Sequence, residues 1–180
     1  MELSKRNIRL LTLNGQLLLL FAAGTILLGG CKINYSFTGA SISPDVKTAS
    51  IQYFQNRASL VQPGLSQYIT DALIDKCKTQ TSLGIVNGIG DVNFEGEITD
   101  YSTRPQSVSA NAEAATNRFT ISVKVKFTNS VQPNYNFEQT FSRYEDYDSN
   151  VDLSTVEKDL SDKIVDLLVE DIFDKAFVNW

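Results

Sequence analysis

The stretch Arg118-Phe119-Thr120-Ile121-Ser122-Val123-Lys124-Val125-Lys126-Phe127-Thr128 decides the fold. Phe119, Ile121, Val123, Val125 and Phe127 fall on one side of it. Arg118, Thr120, Ser122, Lys124, Lys126 and Thr128 fall on the other. Successive side chains of a strand point to opposite faces, so strict alternation predicts a strand with one buried and one polar face. Such a strand belongs to a largely antiparallel sheet covered on one side only.

Upstream, Val92, Phe94, Gly96 and Ile98 alternate with Asn93, Glu95, Glu97 and Thr99, which predicts a partner strand. Between the two, Pro105 to Asn117 (PQSVSANAEAATN) is poor in large residues and reads as a mobile loop. A hairpin about Arg104 and Asn117 sets Glu97 opposite Lys124 and Glu95 opposite Lys126. It also brings Phe94 to Phe127 and Ile98 to Val123 in the core. Opposite charges facing across strands add only ~0.2–1 kcal/mol each, yet they neutralise a basic patch. Downstream of a turn around Pro133, Tyr135 to Tyr147 reads as a further strand. Phe137 and Phe141 point inward from it, and Glu138 adds an acid beside Lys126.

Helices flank this core. Pro63 suits a first helical position, and Leu65, Ile69, Ala72, Leu73 and Cys77 then recur at helical spacing. Gln67, Thr70, Asp71, Asp75 and Lys78 take the water side. This helix is expected to end near Gln80, before a stub of strand at most over Leu83 to Val86 and a turn at Asn87-Gly88-Ile89-Gly90. Ser154-Thr155-Val156-Glu157 reads as a capping box. It opens a helix whose stripe is Val156, Leu160, Ile164, Leu167, Leu168, Ile172 and Phe173. Near the start of the domain, Lys47 to Phe54 sets Ala49, Ile51 and Tyr53 against Ser50 and Gln52, a first strand, and Asn56 to Gln62 reads as loop. The order is β-α-β-β-β-α. This is an α+β two-layer sandwich, a four-stranded sheet with two helices packed on one face.

Composition removes several function classes. No histidine occurs anywhere, which takes away the commonest general base, the Ser-His and Cys-His nucleophile systems, and most zinc sites. The chain carries net charge −5, of which residues 1–30 hold +2 (Lys5, Arg6 and Arg9 against Glu2), so the remainder stands at −7. A nucleic-acid partner needs a basic footprint that this balance denies. The two cysteines are Cys31 and Cys77. Cys77, on the apolar helix face, reads as a small buried hydrophobe. No cofactor is implied.

Two constellations of acids invite chemistry. Asp146, Asp148, Asn150, Asp152 and Glu157 copy the ligand spacing of a calcium loop. Val151 stands where that loop needs glycine and a strand precedes it, so an acidic strand-to-helix connection is the preferred reading. Glu95 and Glu97 share one strand face ~6.7 Å apart. Without a cleft or a polar partner group they read as a solvated face, not a catalytic pair, and no enzyme is expected.

The N-terminus carries its own grammar. Lys5, Arg6 and Arg9 precede an apolar run from Leu17 to Leu28, then Gly29-Gly30-Cys31, a positive n-region, a short h-region and small residues before a cut. The run is ~18 Å of helix against ~30 Å of hydrocarbon. Extending it back to Leu10 to make a retained span would enclose Asn14, Gly15 and Gln16. Leu28-Gly29-Gly30-Cys31 resembles the lipobox of bacterial lipoproteins, a family in which the cysteine is lipidated and becomes the new amino terminus. The expected layout is a cleaved signal at 1–30, a lipidated lead-in at 31–45, and one domain at 46–180.

On this architecture the chain resembles the LptE family of lipopolysaccharide-assembly lipoproteins. The likeness rests on Tyr35-Ser36-Phe37-Thr38-Gly39-Ala40-Ser41-Ile42, Asn93-Phe94-Glu95-Gly96-Glu97-Ile98 and Val123-Lys124-Val125-Lys126-Phe127-Thr128-Asn129. It extends to Asn136-Phe137-Glu138-Gln139 and to Glu170-Asp171-Ile172-Phe173-Asp174-Lys175-Ala176-Phe177-Val178-Asn179-Trp180. The resemblance implies a non-enzymatic outer-membrane protein, anchored by lipid on the periplasmic side. Its partners would be lipopolysaccharide and an LptD-type β-barrel, which it plugs and helps to assemble. A generic lipid-anchored binding or scaffold protein of the envelope is the alternative. Arg118, Lys124 and Lys126 are the candidates for contact with lipopolysaccharide phosphate or with the barrel.

Overall fold

The computed structural model describes residues 42–60, 62–106 and 115–178. The signal, Cys31 and most of the loop expected after Pro105 lie outside the described residues. Six strands form one sheet: β1 (Thr48–Ile51), β2 (Gln55–Asn56), β3 (Gly84–Ile85), β4 (Val92–Pro105), β5 (Thr116–Asn129) and β6 (Phe137–Asp148). The helices are α1 (Leu65–Gln80) and α2 (Leu153–Phe177). The sheet runs β3-β1-β4-β5-β6, with β2 also on β4. β1 is parallel to β3 and β4, and β5 is antiparallel to both of its neighbours, β4 and β6.

The α+β class stands, but the sheet is mixed and has six strands where four were expected. The two additional strands are two residues long, too short to register as a period. β2 exists because the first strand breaks. Alternation places Tyr53 inward, whereas Tyr53 is 50% exposed and Phe54 wholly buried. The Phe54 ring takes the space over Gly96, where an added Cβ would come within 2.5 Å of it. After that inward turn the chain rejoins β4 at Gln55↔Glu97.

The β4–β5 hairpin has the expected register from Phe94↔Phe127 through Glu95↔Lys126 and Glu97↔Lys124 to Ile98↔Val123. A bulge between Ile98 and Asp100 then inserts one residue, so Tyr101 rather than Asp100 faces the core, opposite Ile121. Arg104 consequently meets Arg118, not Asn117. The inward residues of β5, from Phe119 to Phe127, are at most 1% exposed and join both helices in one core. Phe94, Phe127, Phe173 and Phe177 form a cluster in it, with contacting ring centroids 4.9–5.9 Å apart; Phe177 meets the other three edge to face, and Phe94 is tilted on Phe127.

Both helices differ from expectation at their starts. α1 begins at Leu65 behind Gly64, whose φ of 87° is a left-handed conformation that suits glycine, and Pro63 lies in the preceding turn. Thr70, expected in water, is buried. Its hydroxyl donates to the Ser66 carbonyl at 2.7 Å and accepts from Phe54 N–H at 3.1 Å, fixing the inward turn of Phe54. At α2 the cap is Asp152, not Ser154: its carboxylate accepts from Ser154 N–H at 2.8 Å. Glu157 instead accepts from the buried Tyr101 hydroxyl. Leu167 stands 41% exposed, and Val165 and Val169 take its expected place inside. Cys77 is wholly buried, and burial pushes its thiol up to about 12.

Asp91, where β4 begins, clasps the start of β1. Its carboxylate accepts from Lys47 N–H and Thr48 N–H, both at 2.9 Å, and from the Thr48 hydroxyl at 2.8 Å.

The open face of the sheet as candidate site

The polar positions of β4, β5 and β6 meet on the face away from the helices. Lys124 reaches Glu138 of β6 at 2.5 Å, and Lys126 reaches Glu95 of β4 at 3.4 Å. The in-register neighbours are Lys124↔Glu97 and Lys126↔Glu138, so the Glu138 contact runs diagonally. The hydrogen bond to Glu138 raises the Lys124 ammonium above its usual range, and the same bond holds Glu138 low. Tyr53 and Gln55 line a shallow concavity with these side chains.

Arg118 lies at the far end of the same face. It holds Asp146 with a two-pronged bond, 2.8 Å on each arm, and its guanidinium sits 3.6 Å above the Tyr144 ring. The bond from Arg118 lowers the Asp146 carboxyl. All three candidate cations therefore stand on one face, each against an acid. The sequence pointed to the acids facing Lys124 and Lys126. It missed Asp146 and Tyr144, although the register that stacks Phe137 on Phe127 also sets Asp146 opposite Arg118.

The calcium-like residues are dispersed. Asp146 binds Arg118, Asp148 accepts from Asn150, Asp152 caps α2, and Glu157 holds Tyr101. Among the described residues no three acidic or cysteine side chains gather in a metal-binding group. Glu95 and Glu97 line that shallow concavity on the open face, among the lysines.

Among the described residues, the chain is a two-helix α+β domain with one sheet face free of helices and charge-paired. The family model described as lipopolysaccharide-assembly matches residues 46–176, so the chain belongs to the LptE family. No curated protein matches it in sequence. Among solved structures, lipoprotein B of Nitrosomonas europaea shares the fold at 14% identity and TM-score 0.51, over 79% of this chain and 87% of that one. A minor lipoprotein of Acinetobacter baumannii aligns at 12% identity and TM-score 0.47, over 71% and 89%. Among the described residues no helix is long and apolar enough to cross a membrane.

Proposed function

We propose that the chain is a non-enzymatic lipoprotein of the outer membrane. It is anchored through Cys31 on the periplasmic side, seated in an LptD-type β-barrel, and assists lipopolysaccharide insertion. The match to the lipopolysaccharide-assembly family across residues 46–176 carries this reading. The open face is consistent with it. Barrel interiors are polar, and a surface whose cations are matched by acids enters such an interior without leaving unpaired charge. Lys124 and Lys126 are accordingly proposed as part of a paired lining, not as free phosphate ligands.

A mild-detergent pull-down through a C-terminal tag tests the partner. A large β-barrel protein in stoichiometric amount is the expected result. Envelope proteins without a barrel would point to the generic scaffold reading instead. Anchoring is tested separately by Cys31→Ala, which should leave an unprocessed precursor or a soluble periplasmic form. An unmodified Cys31 at the start of a membrane-bound mature protein would overturn the lipid assignment.

A further inference from the structure

Ile89 is 91% exposed, more than any other large apolar side chain among the described residues. It stands between Gly88 and Gly90 in the turn that carries β3 into β4, where turn chemistry favours small polar residues. Two more exposed apolar side chains lie at the same end of the sheet. The carbonyl of Asp91 accepts from both the N–H and the hydroxyl of Ser130 at 2.9 Å, which brings Val131 beside the Ile89 turn. Tyr135 closes the short helical turn Pro133–Tyr135 that follows, and it too is exposed. Single apolar residues on a surface need no explanation, but a group on adjoining turns marks a contact surface.

The chain enters the domain at this same end. Ile42 packs on the core and lines a small cavity with Gln132, Tyr135 and Phe177. From Cys31 to Ile42 the chain reaches at most about 40 Å. We propose that this end of the domain docks on the bilayer that holds the Cys31 lipid, with Ile89, Val131 and Tyr135 entering the headgroup layer.

The chemistry of the end suits a lipid surface. Tyrosine pairs an apolar ring with a polar tip and favours such interfaces. Asp45 and Lys47 flank Val46, Asp174 and Lys175 precede Ala176, and the Asp91 carboxylate is taken up by its clasp on β1. The rim is therefore close to balanced and meets a largely zwitterionic headgroup layer without strong repulsion. Three side chains are too few to hold a free protein on a membrane. A tether makes the contact intramolecular, and a weak attraction then suffices. Docking rests on the lipid anchor proposed at Cys31 and stands apart from the barrel reading. It describes the tethered chain before a partner takes it up.

Val151 supplies the control. It is 38% exposed, as Val131 is, but follows Asp148 at the opposite end of the sheet, where β6 pairs with Thr116. The test uses the purified, lipidated full chain in vesicles of phosphatidylethanolamine and phosphatidylglycerol, without a barrel. Ile89→Cys, Val131→Cys and Val151→Cys each carry an environment-sensitive nitrobenzoxadiazole label. Cys77 is wholly buried and Cys31 is taken by the lipid, so neither competes for it. The labels at positions 89 and 131 should shift to the blue and be quenched by nitroxide-bearing lipid, while the label at 151 stays aqueous. Val131→Ser with Tyr135→Ser should reduce the quenching at position 89, with circular dichroism unchanged. A chain that floats with the vesicles yet leaves positions 89 and 131 aqueous overturns docking while the anchor stands. Equal quenching at 151 overturns it as well. So does a blue shift without nitroxide quenching, because protein and not lipid then covers the patch. An unmodified Cys31 by mass removes the anchor and docking with it.

Discussion

Gly96 shows how a single missing side chain shapes the sheet. Its Cα approaches the Phe54 ring so closely that any Cβ collides with ring atoms 2.5–2.7 Å away. Gly96→Ala must push Phe54 out of a fully buried site, and overpacking of this kind costs about 1–3 kcal/mol. Denaturant unfolding should report that loss, and Phe54→Leu in the same chain should recover part of it. Asp91 acts through charge. The backbone amide of Lys47, followed by the hydroxyl and amide of Thr48, holds its carboxyl below the usual range. A depressed carboxylate contributes stability that is complete above its unfolded pKa and is lost as pH falls through the folded value. Acid titration of thermal stability should therefore show a limb below about pH 4 that Asp91→Asn flattens. An unchanged acid limb in that variant would place the acid sensitivity elsewhere.

At the level of elements, the bulge at Thr99 makes a sharp distinction between two deletions. Removing Thr99 brings Asp100 opposite Ser122 without the extra residue and leaves Tyr101 facing inward. Removing Asn93 instead throws Val92 and everything before it to the wrong face, because strand side chains alternate. The Thr99 deletion should keep a cooperative melt within a few degrees of the parent, and the Asn93 deletion should not fold. The same bulge marks the limit of what the sequence shows. β5 is legible because its alternation is unbroken, and the hairpin register follows from Glu95 and Glu97 meeting Lys126 and Lys124. Nothing in the letters around Thr99 announces an extra residue, so the far half of the hairpin reads one position out. The places of Tyr53 and Thr70 escape the sequence for a different reason. Their positions depend on Phe54 finding its space over Gly96, a contact made across some forty residues of chain. Asp152 is hidden as a cap because Ser154 and Glu157 satisfy the capping-box pattern, while Tyr101 competes for Glu157 only in the folded state.

For the molecule as a whole, the helices cover one side of the sheet and leave the other to a lattice of opposite charges. Lys124→Glu with Lys126→Glu turns that lattice into a block of acids around Glu95, Glu97 and Glu138. If the lattice is structural, the double variant should melt lower and should lose the proposed barrel partner in the pull-down. Its lipopolysaccharide binding should fall no faster than its stability. Loss of lipopolysaccharide binding with normal melting and normal barrel association would instead make the two lysines ligands. The sequence made the two basic residues and their facing acids visible. It left Arg118, Tyr144 and Asp146 as separate letters, because their meeting depends on the β5–β6 register, which the turn around Pro133 conceals.

The clasp between Asp91 and β1 also has a consequence in time. β4, β5 and β6 follow one another along the chain and pair as successive hairpins that can close from their near ends. β1 must wait for a partner that lies 43 residues further on, at Asp91. Contacts that close long loops form late, because the loop entropy is lost before the contact returns anything. Pulse-labelled hydrogen exchange should find the amides of β4 and β5 protected before those of Thr48 and Ala49. Synthesis runs the other way, N-terminus first. The earliest described strand to emerge thus joins the sheet only after its central hairpin has formed, and β3, which pairs with β1 alone, joins after it. During that interval the apolar residues of β1 have no native shelter, which makes this short N-terminal strand the part of the nascent domain most dependent on an escort.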